Sequence, residues 1–524
     1  MKKLNEMTLK EKLGQLLVVG FSGYEYNDHL RKLVEEYKVG NVILFVRNIK
    51  NLEQLSKLNK DIHNEIIKHT GVMPLITIDQ EGGIVTRIMN GATFCPGNMT
   101  LAATNVENAS IIGKIMGEEL AHLGINMNLA PVLDVNNNID NPVIGVRSYS
   151  DDPEIVSDYG IRFIKGLQEK GIIATAKHFP GHGDTNVDSH LGLPTVAHSK
   201  ERLAQVELVP FKKAIAAGLD AIMSAHIVFK AYEEEDIPGT ISRNVITNLL
   251  REELGFEGLI VSDCMEMKAI DDTYTTPVGV VKGIAAGLDL AFVSHTLEKQ
   301  IKALELLEEA VNNGEISMKE IDQKVERILK FKAKTEKIIK RDFINNENNL
   351  EYFNNNQNNR DIAQKIVDDS LTLIKGEPYK EKGKTLLLAP VPYATTIAED
   401  KLDSRNILDS VKTEIPEIDC LELPMRDVDK TLIEKVKEYD NVIICSYNAN
   451  ALAKQKEMIN LLIQNAKNHH IIATRNPYDY IAMDNVQNFV TLYEYTPNSV
   501  RTVVKYLKGQ ITPKGKLPIT LKKN

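Results

Sequence analysis

The sequence predicts an α/β protein, a (β/α)8 TIM barrel followed by a smaller αβα sandwich domain. Three observations carry this expectation. Over the first 340 residues, eight short apolar runs that read as buried strands alternate with helical patterns, as in a parallel barrel. One segment echoes itself: AIAAGLDAIMSAHI at 214–227 recurs as GIAAGLDLAFVSHT at 283–296. Each copy reads as a helix end, a glycine turn and a strand, the trace a repeated βα unit leaves. After residue 340 the composition changes, and a second alternation of strands and helices begins.

In order, Thr8 and Glu11 have capping-box spacing for a first helix. Strands are expected within 15–21, 41–46, 74–79, 126–134, 171–179, 221–226, 258–263 and 288–293. Thr104 with Glu107 reads as a second capping box, ahead of a stripe of Ile112, Ile115, Met116 and Leu123. Asp152-Pro153-Glu154 opens a further helix, with Val156, Tyr159, Phe163 and Leu167 on one face. Residues 1–340 are therefore expected to form the barrel. The asparagine-rich stretch 341–360 reads as a linker or extended connection, and 361–524 as the second domain, with strands in 385–391, 441–446, 470–474 and 489–495.

At 524 residues and 43% hydrophobic, the chain can build more than one core. A net charge of −9 argues against nucleic-acid or anionic-membrane partners and leaves a small-molecule substrate; the oligomeric state is left open, with a monomer favoured. The four cysteines, Cys95, Cys264, Cys420 and Cys445, form no CxxC pair and read as reduced thiols. The first residues make a poor signal peptide and no run is long enough to span a bilayer, so a soluble, cytoplasmic protein is expected.

The polar residues of the barrel runs fall in one pattern. Asp79, Asp134, Lys177 with His178, His226 and Asp263 all stand at carboxyl ends of expected strands, the face where barrel active sites are built. The loop KHFPGHGDTNVDSH at 177–190 is the densest concentration of titratable groups, and such a loop serves chemistry better than packing. Cleaving a glycosidic bond with retention needs an attacking carboxylate and a proton donor that later activates water. Asp263, rigidly held at a strand end, suits the first role; capping the next helix is its structural alternative. His190 suits the second. Asp188, two residues earlier, projects to the same side in extended backbone and orients the imidazole. The competing readings of the loop are a metal site built from His178, His182, Asp184, Asp188 and His190, and a purely structural polar loop.

The segments MTLKEKLGQLL, TIDQEGGIVTRI, PGNMTLAAT, NLAPVLDV, GVRSYSDDP, KHFPGHGDTNVDSHLGLP, SAHIVF, VSDCMEM and the closing GKLPIT together resemble glycoside hydrolase family 3, in its β-N-acetylglucosaminidase branch. The resemblance covers nearly the whole chain, and the long loop is its specific signal. It implies Asp263 as nucleophile, His190 as general acid/base and Asp188 as its partner. It further implies that Asp79, Arg87, Arg147, Lys177 and His178 bind the sugar. No metal or organic cofactor is expected, because the two-step mechanism needs only the carboxylate and the imidazole. Where a common form of the DQEGG segment continues with arginine, this chain has Ile84. His226 and Met265 are expected to line the pocket, and Arg475-Asn-Pro-Tyr-Asp479 either to lean over the barrel mouth or to form a turn within its own domain.

The resulting expectation is a retaining exo-β-N-acetylglucosaminidase acting on peptidoglycan fragments or chitin oligomers. The alternative is a phosphorylase in which phosphate intercepts the glycosyl-enzyme. A neutral histidine acid/base repels phosphate less than a carboxylate would. A β-glucosidase and a non-catalytic sugar-binding protein are lesser alternatives.

Overall fold

The computed structural model describes residues 2–185, 192–380, 383–391, 394, 399 and 406–522. Eight parallel strands close into a barrel in sequential order: β1 (Leu17–Val19), β2 (Asn41–Leu44), β3 (Leu75–Ile78), β4 (Met127–Asn128), β5 (Ile173–Phe179), β6 (Ala221–Ser224), β7 (Leu259–Cys264) and β8 (Leu290–Val293). Each coincides with one of the eight expected runs. These runs are apolar throughout because a barrel strand is covered on both faces, by the filled interior and by the surrounding helices.

The helix signals divide. Thr8 and Glu11 form the capping box, and Asp152 caps the helix Pro153–Glu169 by accepting from the Glu154 amide at 2.8 Å. The Thr104 box does not form. The helix Glu107–His122 starts after Val106, and the Asn105 side chain takes the Glu107 amide at 3.0 Å. Thr104 instead donates to the Leu101 carbonyl, finishing the preceding helix. The echoed segments both run from a helix through a glycine of positive φ, Gly218 and Gly287, into β6 and β8. These two strands flank β7 on either side.

The asparagine-rich stretch is not an extended connection. It carries helices at Glu351–Asn354 and Gln357–Ser370, with Phe353 buried. Its asparagines fasten it to the barrel: Asn349 donates to Ser56 Oγ and the His122 carbonyl, and Asn356 to Glu119 Oε1. Asparagine, read as solvated linker, here satisfies buried polar groups.

Among the described residues the second sheet has six strands: β9 (Thr372–Lys375), β10 (Thr385–Ala389), β11 (Asp419–Glu422), β12 (Asn441–Ser446), β13 (His469–Ala473) and β14 (Asn488–Thr491), in the order β9-β14-β13-β12-β10-β11. Among the described residues, only β9 runs antiparallel to its neighbour. Separate apolar clusters cover its two faces, which makes the sandwich. A third cluster of Met99, Ala103, Val146, Tyr478, Tyr493 and Ile519 joins sheet and barrel, and Ile84 packs against it. The closing GKLPIT segment returns to the barrel: the Lys516 amide donates to the Ala103 carbonyl, and the Thr520 amide to Asp151.

Candidate active site

The loops that follow the barrel strands enclose a cavity of about 550 Å³, within the range of small-molecule sites. Asp79, Arg87, Arg147, Lys177, His178 and Asp263, all singled out from sequence, line it. Asp188 and His190 lie outside the described residues.

One wall is a chain of charges, buried at Glu81, Arg147 and Lys177 and partly exposed at Asp79. Lys177, in β5, places Nζ 2.8 Å from Asp79 Oδ1 and 2.8 Å from Glu81 Oε1. Arg147 grips the same Glu81 with two parallel bonds, Nε to Oε2 at 3.0 Å and Nη2 to Oε1 at 2.7 Å. This forked geometry fixes orientation as well as charge. Burial alone would raise the Glu81 carboxyl, but Arg147 and Lys177 outweigh it and hold the group well below the usual carboxylate range. Burial would likewise lower Lys177, and the charges of Asp79 and Glu81 turn the shift upward. Glu81 and Lys177 are therefore both held in their charged forms, and the wall is a dense array of donors and acceptors suited to hydroxyl groups.

Local backbone builds this wall. Gly82 and Gly83 have φ of +91° and +57° and turn the chain back on itself, with the Glu81 and Gly82 amides donating to the Val85 carbonyl. Arg87 thereby returns to within 3.6 Å of Asp79. The turn is seated from the second domain. Glu494 stands two residues before Thr496, the N-cap of the helix Pro497–Leu507, and accepts from the Gly97 amide and from Thr100 Oγ1, each at 2.7 Å.

Behind the cavity, Asp134 is fully buried and accepts from the His178 amide, from His178 Nδ1 at 2.7 Å and from the His182 amide. Burial would raise it, yet these partners lower it. His182 is pushed down to about 4 by burial and by neighbouring His178. His178 and His182 thus share a carboxylate, while Asp184 pairs with His198.

Asp263 stands at the end of β7, partly exposed to the cavity, with Oδ1 taking the Cys264 amide at 2.7 Å. Cys264, Glu266, Met267, Ser294 and His295 continue the wall beside it. Burial pushes the Cys264 thiol up to about 11. Two expected lining residues do not reach the cavity. Met265 is fully buried in the barrel core, and His226 bonds Thr240 through Nδ1 and the Cys264 carbonyl through Nε2 at 2.9 Å. Strict alternation would have returned Met265 to the face of Asp263, but the strand ends at Cys264 and Met265 lies in the turn beyond it, where the alternation no longer holds. The Arg475 to Asp479 stretch leans on the barrel at Tyr478, whose hydroxyl accepts from Asn136 at 2.9 Å.

Glu81, Arg47, Glu266 and His295 were missed from sequence. Glu81 had a signal, since it lies two residues beyond Asp79 in the same motif; His295 also had one, as the counterpart of His226 in the echo.

The barrel's strand-end residues thus converge on one charged, polar cavity, the placement of active sites in this architecture, and sequence comparison gives the family. The model of the glycosyl hydrolase family 3 N-terminal domain matches residues 8–331. The chain belongs to glycosyl hydrolase family 3. It is similar to the solved family 3 β-N-acetylglucosaminidase of Paenibacillus sp. str. FPU-7, at 38% identity and a TM-score of 0.89, over 98% of this chain and 99% of that one. It is 34% identical over 367 residues to β-hexosaminidase A of Pseudoalteromonas piscicida, covering 63% of this chain and 61% of that protein's length. To the β-hexosaminidase of Photobacterium profundum it is 36% identical over 293 residues, covering 55% of this chain and 84% of that one.

Proposed function

We propose that the protein is a retaining exo-β-N-acetylglucosaminidase that removes terminal β-linked N-acetylglucosamine from peptidoglycan fragments or chitin oligomers. The observation that carries this reading is the position of Asp263: a strand-end carboxylate opening on the same cavity as the Asp79–Lys177–Glu81–Arg147 wall. The named similarities to a β-N-acetylglucosaminidase and to β-hexosaminidases support the choice of sugar.

In this reading Asp79, Arg87, Arg147, Lys177 and His178 hold the sugar's hydroxyls and acetamido group. Asp263 Oδ attacks the anomeric carbon as the glycosidic C–O bond breaks, and the leaving oxygen takes a proton from His190. Water then attacks the glycosyl ester, gives its proton to His190, and releases Asp263. Asp188 accepts a hydrogen bond from the imidazole and fixes its tautomer. Residues 1–340 carry this chemistry, 341–360 connect, and 361–524 brace the sugar-binding turn.

Proton NMR of the enzyme turning over an aryl β-N-acetylglucosaminide in phosphate buffer tests the reading. The β anomer of N-acetylglucosamine is expected as first product. N-acetylglucosamine 1-phosphate would make the protein a phosphorylase, and first release of the α anomer of the free sugar would rule out retention by hydrolysis. His190→Ala should still glycosylate Asp263 from a substrate with a good leaving group and then stall, visible as a mass increment on the Asp263 peptide.

A further inference from the structure

Beside Asp263 the cavity wall brings together three donors of different chemistry. One ligand atom each from Cys264, Glu266 and His295 lies within 4.8 Å of the others, and all three residues line the cavity. The loops that carry them are fixed. Glu266 accepts the His295 amide at 2.6 Å and the Thr296 amide at 3.2 Å, tying the end of β7 to the end of β8. From the other side of β7, His226 holds the Cys264 carbonyl. The donors therefore meet on a braced corner open to solvent through the cavity.

Thiol sulfur, imidazole nitrogen and carboxylate oxygen form a set that favours a thiophilic, four-coordinate divalent cation over magnesium or calcium. Ligand atoms around such an ion stand roughly 3.3–3.8 Å apart, so the three donors, already within 4.8 Å of one another, need only draw closer together to hold one. Two other acidic and imidazole groupings contrast with it among the described residues. Glu35, Glu65 and His69, and Asp184, His198 and Glu207, lack sulfur, and a carboxylate in each is already paired, with Lys68 and with Arg202.

We propose that Cys264, Glu266 and His295 form a binding site for a zinc-type dication, and that filling it inhibits the enzyme. The ion takes the thiolate, the thiol proton passing to solvent, and water completes its coordination. Asp263 is the residue next to Cys264, so a dication at this corner stabilises its ionised carboxylate and blunts it as an attacking group. The inhibitory half rests on the proposed role of Asp263; the binding half does not.

The test titrates the full-length protein with Zn²⁺, and with Co²⁺ as a spectroscopic stand-in. One ion per chain is expected, with a sulfur-to-cobalt charge-transfer band in the near ultraviolet and activity falling as zinc occupancy rises. Cys264→Ser should abolish the band. His295→Ala, at an exposed position, should weaken Zn²⁺ binding at least 10-fold, since loss of an outer-sphere partner alone costs about 10–100-fold. Absence of the band, or Zn²⁺ affinity unchanged in both variants, overturns the site. A band with unimpaired turnover overturns the inhibition. Because the band requires no turnover, failure of the site and failure of the glycosidase reading are read separately.

Discussion

At the scale of single residues, the sugar-binding wall depends on geometry as much as on charge. Arg147 holds Glu81 through two parallel bonds, and Lys177 shares one of the same oxygens. Lysine at 147 keeps the positive charge but offers one compact donor in place of a planar fork. Arg147→Lys is expected to lower kcat/KM on an aryl β-N-acetylglucosaminide by roughly 10–100-fold, mostly through KM, as binding lost alike in ground and transition states does. Steady-state kinetics decide it; an unchanged KM would mean that Glu81 needs only a nearby cation. Glu81 also shows where sequence reading stops. Asp79, Lys177 and Arg147 were legible as strand-end or motif residues, but one carboxylate bridging two cations far away along the chain follows only from the closed barrel.

At the scale of elements, legibility followed burial. All eight barrel strands were visible because each is covered on both faces and so reads as a continuous apolar run. In the second sheet the two missed strands, Thr372–Lys375 and Asp419–Glu422, are its edges. An edge strand is half exposed and carries polar side chains, so its sequence lacks the run. The Gly82–Gly83 turn is the element on which the site leans hardest. A Cβ on Gly83 would stand 2.8 Å from Gly97 Cα, and Glu494 holds Gly97 from across the domain junction. Glu494→Ala leaves the Gly97 amide and Thr100 hydroxyl without that acceptor, a change expected to cost about 1–3 kcal/mol. Chemical denaturation should report the loss, together with a raised KM. A stability loss with KM intact would separate the domain junction from the sugar-binding turn.

At the scale of the whole molecule, buried titratable groups set opposing pH dependences. Burial lowers His63, His182 and His470 each to about 4. Each histidine takes a proton near pH ~6.5 when unfolded but only near 4 when folded. Their contribution is therefore complete above about pH 6.5 and drains away as pH falls towards 4. Asp479 works in the other direction. Burial lifts it to about 7, so the folded state holds its proton more tightly and gains stability as pH falls from 7 towards the ordinary carboxylate value. Relative to the parent protein, His63→Gln should therefore gain up to ~3 kcal/mol between pH 6.5 and 4. Asp479→Asn should lose ground over the same interval. Urea unfolding at stepped pH measures both, and parallel stability curves for parent and His63→Gln would contradict the first.

The echoed βα units have one more consequence. They stand on either side of β7 and present corresponding histidines, His226 and His295, to it. His226 donates to the Cys264 carbonyl, while the His295 amide is held by Glu266. Side chains alternate between the two faces of a strand, so sliding β7 by one residue would turn Asp263 out of the cavity. The duplicated neighbours thus act as a pair of gauge blocks that admit β7 in a single alignment, and the aim of its carboxylate is inherited from a repeat that contains no carboxylate of its own in the cavity.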